Sequence, residues 1–519
     1  MPLLRVLTAV GLLTATAPLF AQPAADAGKP KPYAEKLLYA PTPVPDRVIL
    51  TWNGDPATSQ AVTWRTDPTV KVAVAQIAES EDGPDFDPIA RTATPPAGKV
   101  TTVPATSTPL KTDLSEALYH SATFTGLKPA TRYVYRVGDK LNWSEWHQFR
   151  TTSDKPEPVE FIYFGDAQND VKRHWSRVVR GAYSDMPKAH FILHAGDLIN
   201  VYNRDAEWGE WHAAAGWING TVPSLPTPGN HEYGRRTLSD EEKKQEATLS
   251  VAGGTAAAPA KPLPLKGALT AHWKAQFTLP ENGPAGMGLE ESCYFVDVQG
   301  VRVISLNSNE KQQEQVAWLE QTLKDNPNRW TVVTFHHPVY ATAASRQKEE
   351  QGKAVRQFWR PLLDQYGVDL VLQGHDHSYG RSGLMREDNL LSGTQAFTRK
   401  GTVYCVSVSG PKMYDLGEQP WMVSSGQKKQ LYQLIRIDGG RLHYQARTAA
   451  GQLYDEFELR KQPNGVNKLV ERADLDAERA RGDSPAGLTG RDALFAVGGM
   501  GVLAAGMFGL RWLFRKRAA

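Results

Sequence analysis

The chain has 519 residues, of which 41% are apolar and 22% charged, an ordinary globular composition with ample material for a core. Its length exceeds one ordinary domain and suggests about three. Fifty-nine basic against 56 acidic residues leave a net charge of +3, and no concentrated basic excess marks a nucleic-acid-binding surface.

Residues 1–21 read as a signal peptide. Arg5 precedes an apolar run over 6–13, and small residues follow to Ala21. That run is short for a bilayer, which argues against an uncleaved anchor. Residues 22–41 are rich in Pro, Ala and Lys and read as a linker. Residues 42–153 hold strand-like segments at 47–52, 59–64, 72–77, 120–124, 132–137 and 146–150, divided by Gly, Pro and Asp turns. This pattern predicts a β-sandwich, and the stretch 126–137 resembles the corner of fibronectin type III domains. No polar constellation of catalytic type falls in this region, so it reads as a structural module.

From residue 158 to 460 apolar runs alternate with helical patterns, which predicts an α/β domain. Residues 314–323 place Val316, Leu319 and Leu323 on one helical face, stopped by Asp325, Asn326 and Pro327. A charged run and an Ala/Pro/Gly-rich stretch over 239–266 read as a surface insertion. Two runs around Asp438, Gly439 and Gly440 predict a hairpin. Residues 461–492 are charged and poor in aromatics, and read as a linker. Residues 493–510 hold no charge, and Arg511, Arg515, Lys516 and Arg517 close the segment. Counted through 514, it spans about 20 residues and predicts a transmembrane helix with its basic end cytoplasmic. A sorting tail or a buried helix has the same composition. Together the two ends predict an exported protein, periplasmic or cell-surface, anchored at its C-terminus. The two cysteines, Cys293 and Cys405, fit no zinc-finger or CxxC spacing; they read as a disulfide, which export permits, or as two buried thiols.

Five segments carry metal-capable side chains. A strand-like run over 161–164 leads into Gly165 and Asp166, and one over 191–193 into His194, Ala195, Gly196 and Asp197. A Pro/Gly turn leads to Gly229, Asn230, His231 and Glu232. Runs over 330–335 and 369–372 lead to His336, His337 and Pro338, and to Gly374, His375, Asp376 and His377. In open α/β sheets the C-terminal ends of strands converge on one edge, where ligands bind. Carboxylate and amide oxygens with imidazole nitrogens, and no thiolate, suit zinc, iron or manganese. Two such ions sharing a carboxylate can clamp a phosphoryl group and activate a water. Singly each motif is weak; together and in this order they point to a metal site.

The order Gly-Asp, Gly-Asp, Gly-Asn-His-Glu, Val-x-x-His and Gly-His-x-His resembles the calcineurin-like metallophosphoesterases. It looks most like the purple acid phosphatase branch, and residues 45–52 with the sandwich are similar to that branch's N-terminal domain. The resemblance covers roughly residues 42–460. It implies two packed mixed sheets flanked by helices, and hydrolysis of a small-molecule phosphate monoester by metal-bound hydroxide at a dinuclear, divalent or mixed-valence centre. A phosphodiesterase or nucleotide pyrophosphatase is the alternative within hydrolysis. A surface binding module with a vestigial metal site is the alternative outside it.

By motif, the resemblance implies that Asp166 and His377 bind the first metal and that Asp197 bridges both. Asn230, His336 and His375 would bind the second, His336 being chosen over His337 because Val333 stands three residues before it. His231 would face the phosphate and protonate the leaving oxygen. Arg346 is a candidate phosphate contact. Arg381, His174, Trp208, Trp211 and Trp217 are weaker candidates, read as structural or surface residues. The chain departs from the branch at one place. The branch has a tyrosine three residues after the bridging aspartate, where Asn200 stands here, with Tyr202 two residues on; the wider superfamily has a histidine where Gln168 stands. Gln168 or Asn200 could offer a neutral amide oxygen to the first metal, or water could fill the place. Either stabilises ferric iron less than a phenolate, so purple iron chemistry is not expected.

Overall fold

The computed structural model describes residues 33–84, 100–235, 266–391 and 394–481. The N-terminal unit is a sandwich of two four-stranded antiparallel sheets. One sheet runs Asp46–Thr51, Ser59–Thr66, Glu116–Thr125, Thr106–Lys111; the other runs Thr101–Pro104, Val74–Glu79, Arg132–Gly138, His147–Arg150. Alternate side chains, among them Val62, Trp64, Phe124, Tyr135 and Phe149, meet between the sheets. The six predicted strand segments all fall on strands. Thr101–Pro104 and Thr106–Lys111 are additional, and their polar, exposed residues give no alternating apolar signal.

The second unit packs two seven-stranded sheets face to face. In the first, Val159–Phe164, Phe191–His194 and Ser224–Pro226 are parallel, and the hairpin Leu431–Asp438/Arg441–Thr448 adds antiparallel strands beside Val159–Phe164. In the second, Val301–Ser305, Trp330–Thr334, Leu370–Gln373 and Val403–Val406 are parallel. These strands are buried along their length, as their near-continuous Val, Ile and Leu content requires. The predicted amphipathic helix is present as Val316–Lys324, with Leu319 and Leu323 buried. Cys293 and Cys405 are both free and buried.

Two expectations need correction. Among the described residues no helix is long and apolar enough to cross a membrane. The transmembrane helix is therefore not supported, and neither is the anchored, exported location built on it. The segments concerned, 493–514 and the signal peptide at 1–21, lie outside the described residues, as does nearly all of the insertion at 239–266. The stretch 461–492, read as a linker, also differs over its described part. The strand Asn467–Glu471 extends the first sheet beside Leu453–Lys461, and the helix Arg472–Arg481 follows. Its charges are matched across the fold: Arg479 meets Glu456 at 2.7 Å, and Glu478 meets Arg460 at 2.6 Å. Composition shows charged residues but not their partners.

Candidate metal centre

The parallel strands of both sheets end at one edge, and the motif residues stand just past those ends. Asp166 follows Val159–Phe164, Asp197 follows Phe191–His194, Asn230 follows Ser224–Pro226, His336 follows Trp330–Thr334, and His375 and His377 follow Leu370–Gln373. The turns there are tight: Asp197, His375 and His377 all have left-handed backbones, with φ of 52°, 75° and 46°. Non-glycine residues rarely adopt this conformation, and it clusters at functional sites where the surroundings enforce it. Two motif glycines have a steric reason. A Cβ on Gly229 would come within 2.2 Å of Asp197 Oδ1, and one on Gly374 within 2.2 Å of Asp166 Oδ1. Both glycines make room for the carboxylates.

The donor atoms form two groups that share Asp197. Asp197, His336 and His375 make one, Asp166, Asp197 and His377 the other, each with its ligand atoms within 4.8 Å of one another, and all five residues are buried. Hydrogen bonds on their outer sides fix which atoms face inward. His336 Nδ1 lies 2.8 Å from the Ala195 carbonyl and His377 Nδ1 3.0 Å from the Lys412 carbonyl. A carbonyl can only accept, so both Nδ1 atoms carry the hydrogen and both Nε2 atoms turn inward. His375 is reversed: its Nε2 meets the Glu349 carboxylate at 2.6 Å, so Nδ1 faces in. His336 Nε2 then stands 3.1 Å from His375 Nδ1, 3.2 Å from Asn230 Oδ1 and 3.3 Å from Asp197 Oδ2. His377 Nε2 stands 3.2 Å from Asp166 Oδ2.

These distances bring lone pairs toward lone pairs, an arrangement that a cation between them resolves. Asp166 Oδ2 and Gln168 Oε1 are buried without a hydrogen-bond donor, which is costly unless a cation supplies the missing partner. The electrostatics agree. Burial penalises charge on every group here, yet the Asp197 and Asp166 carboxylates push His336 up to about 9, so that without a cation a proton on Nε2 takes the place between them. Burial also opposes charge on Asp197, but His336 and His231 hold its carboxyl well below the usual range. Burial pushes Asp166 up, against the pull of His336 and with Asp197 adding to it. The pocket's field favours positive charge, and a mixed oxygen–nitrogen donor set fits divalent metals.

Around this cluster, His231 sits at the edge. Its Nε2 is 3.9 Å from Asp197 Oδ2, and its Nδ1 donates to the Asn200 carbonyl at 2.5 Å. Gln168 Nε2 donates to Asp197 Oδ2 at 2.8 Å, which leaves its carbonyl oxygen as the spare donor atom. Asn200 enters through its backbone. The Tyr202 ring lies against Gly234, where an added Cβ would meet it at 3.2 Å. Arg346 pairs with Glu349 and donates to the Tyr414 hydroxyl at 3.0 Å. The Tyr414 ring is 4.6 Å from His377, so Arg346 stands on the rim of the cluster. His337 turns away to Ser308 at 2.9 Å. Arg381 is locked between Asp455 and Glu471, and Trp208 and Trp211 are fully buried packing residues. Trp217 is exposed and meets Tyr183 edge-on, and the His174 carbonyl accepts from Gln430.

Glu349 is the residue that sequence reasoning missed. It lies in the charged run Arg346 to Glu350, where nothing distinguishes it from a solvated loop acid. Glu232 was visible only as part of a motif. It is fully buried and accepts from the backbone N–H groups of Asp197, Leu198 and Gly229 at 2.7–2.9 Å, tying two motif loops together.

Comparison with known proteins agrees with this geometry. Residues 45–151 match the model for the purple acid phosphatase N-terminal domain, and residues 159–379 match calcineurin-like phosphoesterase. Human acid phosphatase type 7 is 27% identical over 370 residues, covering 66% of this chain and 72% of the human protein. Probable purple acid phosphatase 20 of Arabidopsis thaliana is 27% identical over 284 residues, covering 54% of this chain and 57% of the plant protein. Purple acid phosphatase PPD1 from yellow lupin seeds superposes with a TM-score of 0.62 at 16% identity, covering 81% of this chain and 75% of that one. With both matched regions in the expected order, the chain belongs to the calcineurin-like phosphoesterase family, in its purple acid phosphatase-like branch, and is a phosphoric ester hydrolase by that membership.

Proposed function

We propose that the chain hydrolyses phosphate monoesters at a dinuclear metal centre on this sheet edge. In this reading Asp166 and His377, with the Gln168 carbonyl, hold one ion. Asn230, His336 and His375 hold the other, and Asp197 lies between them. Zinc, iron and manganese all suit the set. Two bound cations supply Lewis acidity toward a phosphoryl oxygen and lower the pKa of a water.

The chain's own residues do the rest. Glu349 and the Ala195 and Lys412 carbonyls orient the three imidazoles, as partners behind a metal-binding histidine do. Glu232 fixes the backbone on either side of Asp197. His231 keeps its Nδ1 hydrogen on Asn200, so Nε2 is the atom that can pass a proton to a departing ester oxygen. Arg346 and Tyr414 offer N–H and O–H groups at the rim for phosphate or leaving group.

The observation that carries this reading is the pair of buried donor groups sharing Asp197. The monoester preference is supported by relatives named as acid phosphatases. It is tested by phosphate release from 4-nitrophenyl phosphate beside hydrolysis of bis(4-nitrophenyl) phosphate. Faster turnover of the monoester is expected; faster turnover of the diester would replace this reading with a diesterase.

A further inference from the structure

The helix Asp205–Ala215 carries two acids in its first turn, and they face different parts of the molecule. Asp205 faces the sandwich. Its two oxygens take Arg47 at 2.7 and 2.9 Å and Arg65 at 3.3 Å, and all three side chains are buried. Glu207 faces the loop that follows Asp197. Its Oε2 accepts the N–H groups of Asn200 at 2.7 Å and Val201 at 2.9 Å. Trp208 Nε1 donates to the Tyr202 carbonyl at 3.1 Å, and Arg204 braces Glu207 at 3.6 Å. Three consecutive residues of the loop after Asp197 are thereby tied to this helix by their backbone. The central contact faces the other way: the Asn200 carbonyl accepts the hydrogen of His231 Nδ1.

We propose that Glu207 is a positioning residue for His231, and that the N-terminal sandwich anchors the helix from which it acts. Glu207 holds the Asn200–Val201 peptide with its N–H, that of Val201, toward the helix and its carbonyl, that of Asn200, toward the imidazole. That orientation directs His231 Nε2 at the metal cluster. If Glu207 is lost, the peptide turns freely and the imidazole loses its aim while the metal-binding side chains stay in place. The chain of contacts from Arg47 and Arg65 through Asp205, Glu207 and Asn200 to His231 gives the sandwich a part in catalysis without touching substrate. This inference rests on the reading of His231 as proton donor: the P–O ester bond breaks, its electron pair goes to the leaving oxygen, and the Nε2 hydrogen follows.

The dependence on leaving group separates positioning from stability. An alkoxide needs the proton, whereas 4-nitrophenolate departs without it. Glu207→Ala is expected to lower kcat on glycerol 2-phosphate by about 10- to 100-fold and on 4-nitrophenyl phosphate by less than about 3-fold, with metal content unchanged. Glu207→Gln, which keeps a carbonyl acceptor, is expected to restore most of the loss. Should Glu207→Ala fold poorly, Glu207→Asp shortens the reach, keeps the charge and carries the same expectation. His231→Gln run in parallel distinguishes the two claims. If it shows the leaving-group dependence and the Glu207 variants do not, the positioning role is overturned and the proton-donor reading stands. If His231→Gln slows both substrates equally, both fall together.

Discussion

Two buried clusters of charge stand at either end of the loop 198–204, one at Asp197 and one at Asp205, and they are built on opposite principles. At the domain interface, Asp205 sits between two cations, Arg47 and Arg65, which also grips Asp46 at 2.6 Å, with the His272 ring 3.4 Å away. Each carboxylate oxygen there has its donor. At the strand ends, Asp166 and Asp197 are equally buried, but the imidazoles beside them turn lone pairs inward, and Asp166 Oδ2 has no donor. The first cluster is complete in protein atoms and joins two domains. The second leaves buried acceptor atoms without a protein donor, as a cation site would. Burial alone therefore does not distinguish a structural ion pair from a metal site; the direction of the hydrogens does.

The strongest way to break this contrast is to remove one carboxylate from each cluster. Asp197→Ala should reduce phosphate release to background while the chain still folds. A chelator should lower the Tm of the wild-type protein but leave that of Asp197→Ala nearly unchanged, because ligands that bind only the folded state stabilise it. Near wild-type turnover in this variant would remove the assignment. Asp205→Ala should instead act on stability. It leaves the buried Arg47 guanidinium without its carboxylate, while Arg65 keeps Asp46, a cost of about 3–5 kcal/mol, readable in denaturant unfolding. A change below about 1 kcal/mol would show the interface cluster to be dispensable.

The acid limb of stability sharpens the same contrast. Burial opposes charge on Asp205, but His272, Arg47 and Arg65 outweigh it and hold the carboxyl well below the usual range. A depressed carboxylate contributes stability above its unfolded pKa, near 4, and loses it as pH falls through the lower folded value. The stability gap between wild type and Asp205→Ala should be constant above about pH 5 and shrink below about pH 4. A gap that stays constant down to pH 2 would mean that Asp205 titrates normally.

The smallest expected effect is spectroscopic. Asn200 offers no phenolate, and Tyr202 packs on Gly234. Iron-loaded protein should be colourless or faintly coloured in the visible. Strong purple absorption that disappears in Tyr202→Phe would mean that Tyr202 swings in as a ligand.

Much of the candidate metal centre was legible in the sequence because its residues follow strand-like apolar runs, and strand ends converge whatever the length of chain between them. Asp166, Asp197, Asn230, His336, His375 and His377 are found together for that reason. The two motif glycines were legible as symbols, but their reason, clearance for the two aspartates, needs three dimensions. Glu349 and Tyr414 lie in loops whose path no periodicity sets. Asp205 and Arg47 are 158 positions apart, and the sequence marks neither as the partner of the other. The stretch 461–492 reads as a linker for a similar reason, since the charges of its described part look solvated until their partners on the sheet are seen.

The central claim is that one carboxylate joins two metal sites, and metal stoichiometry tests it most directly. Purified protein, saturated with zinc or manganese and freed of excess, should hold two ions per chain, and Asp197→Ala under the same treatment at most one. Two ions retained by Asp197→Ala, or none bound by a fully active wild-type protein, would contradict it.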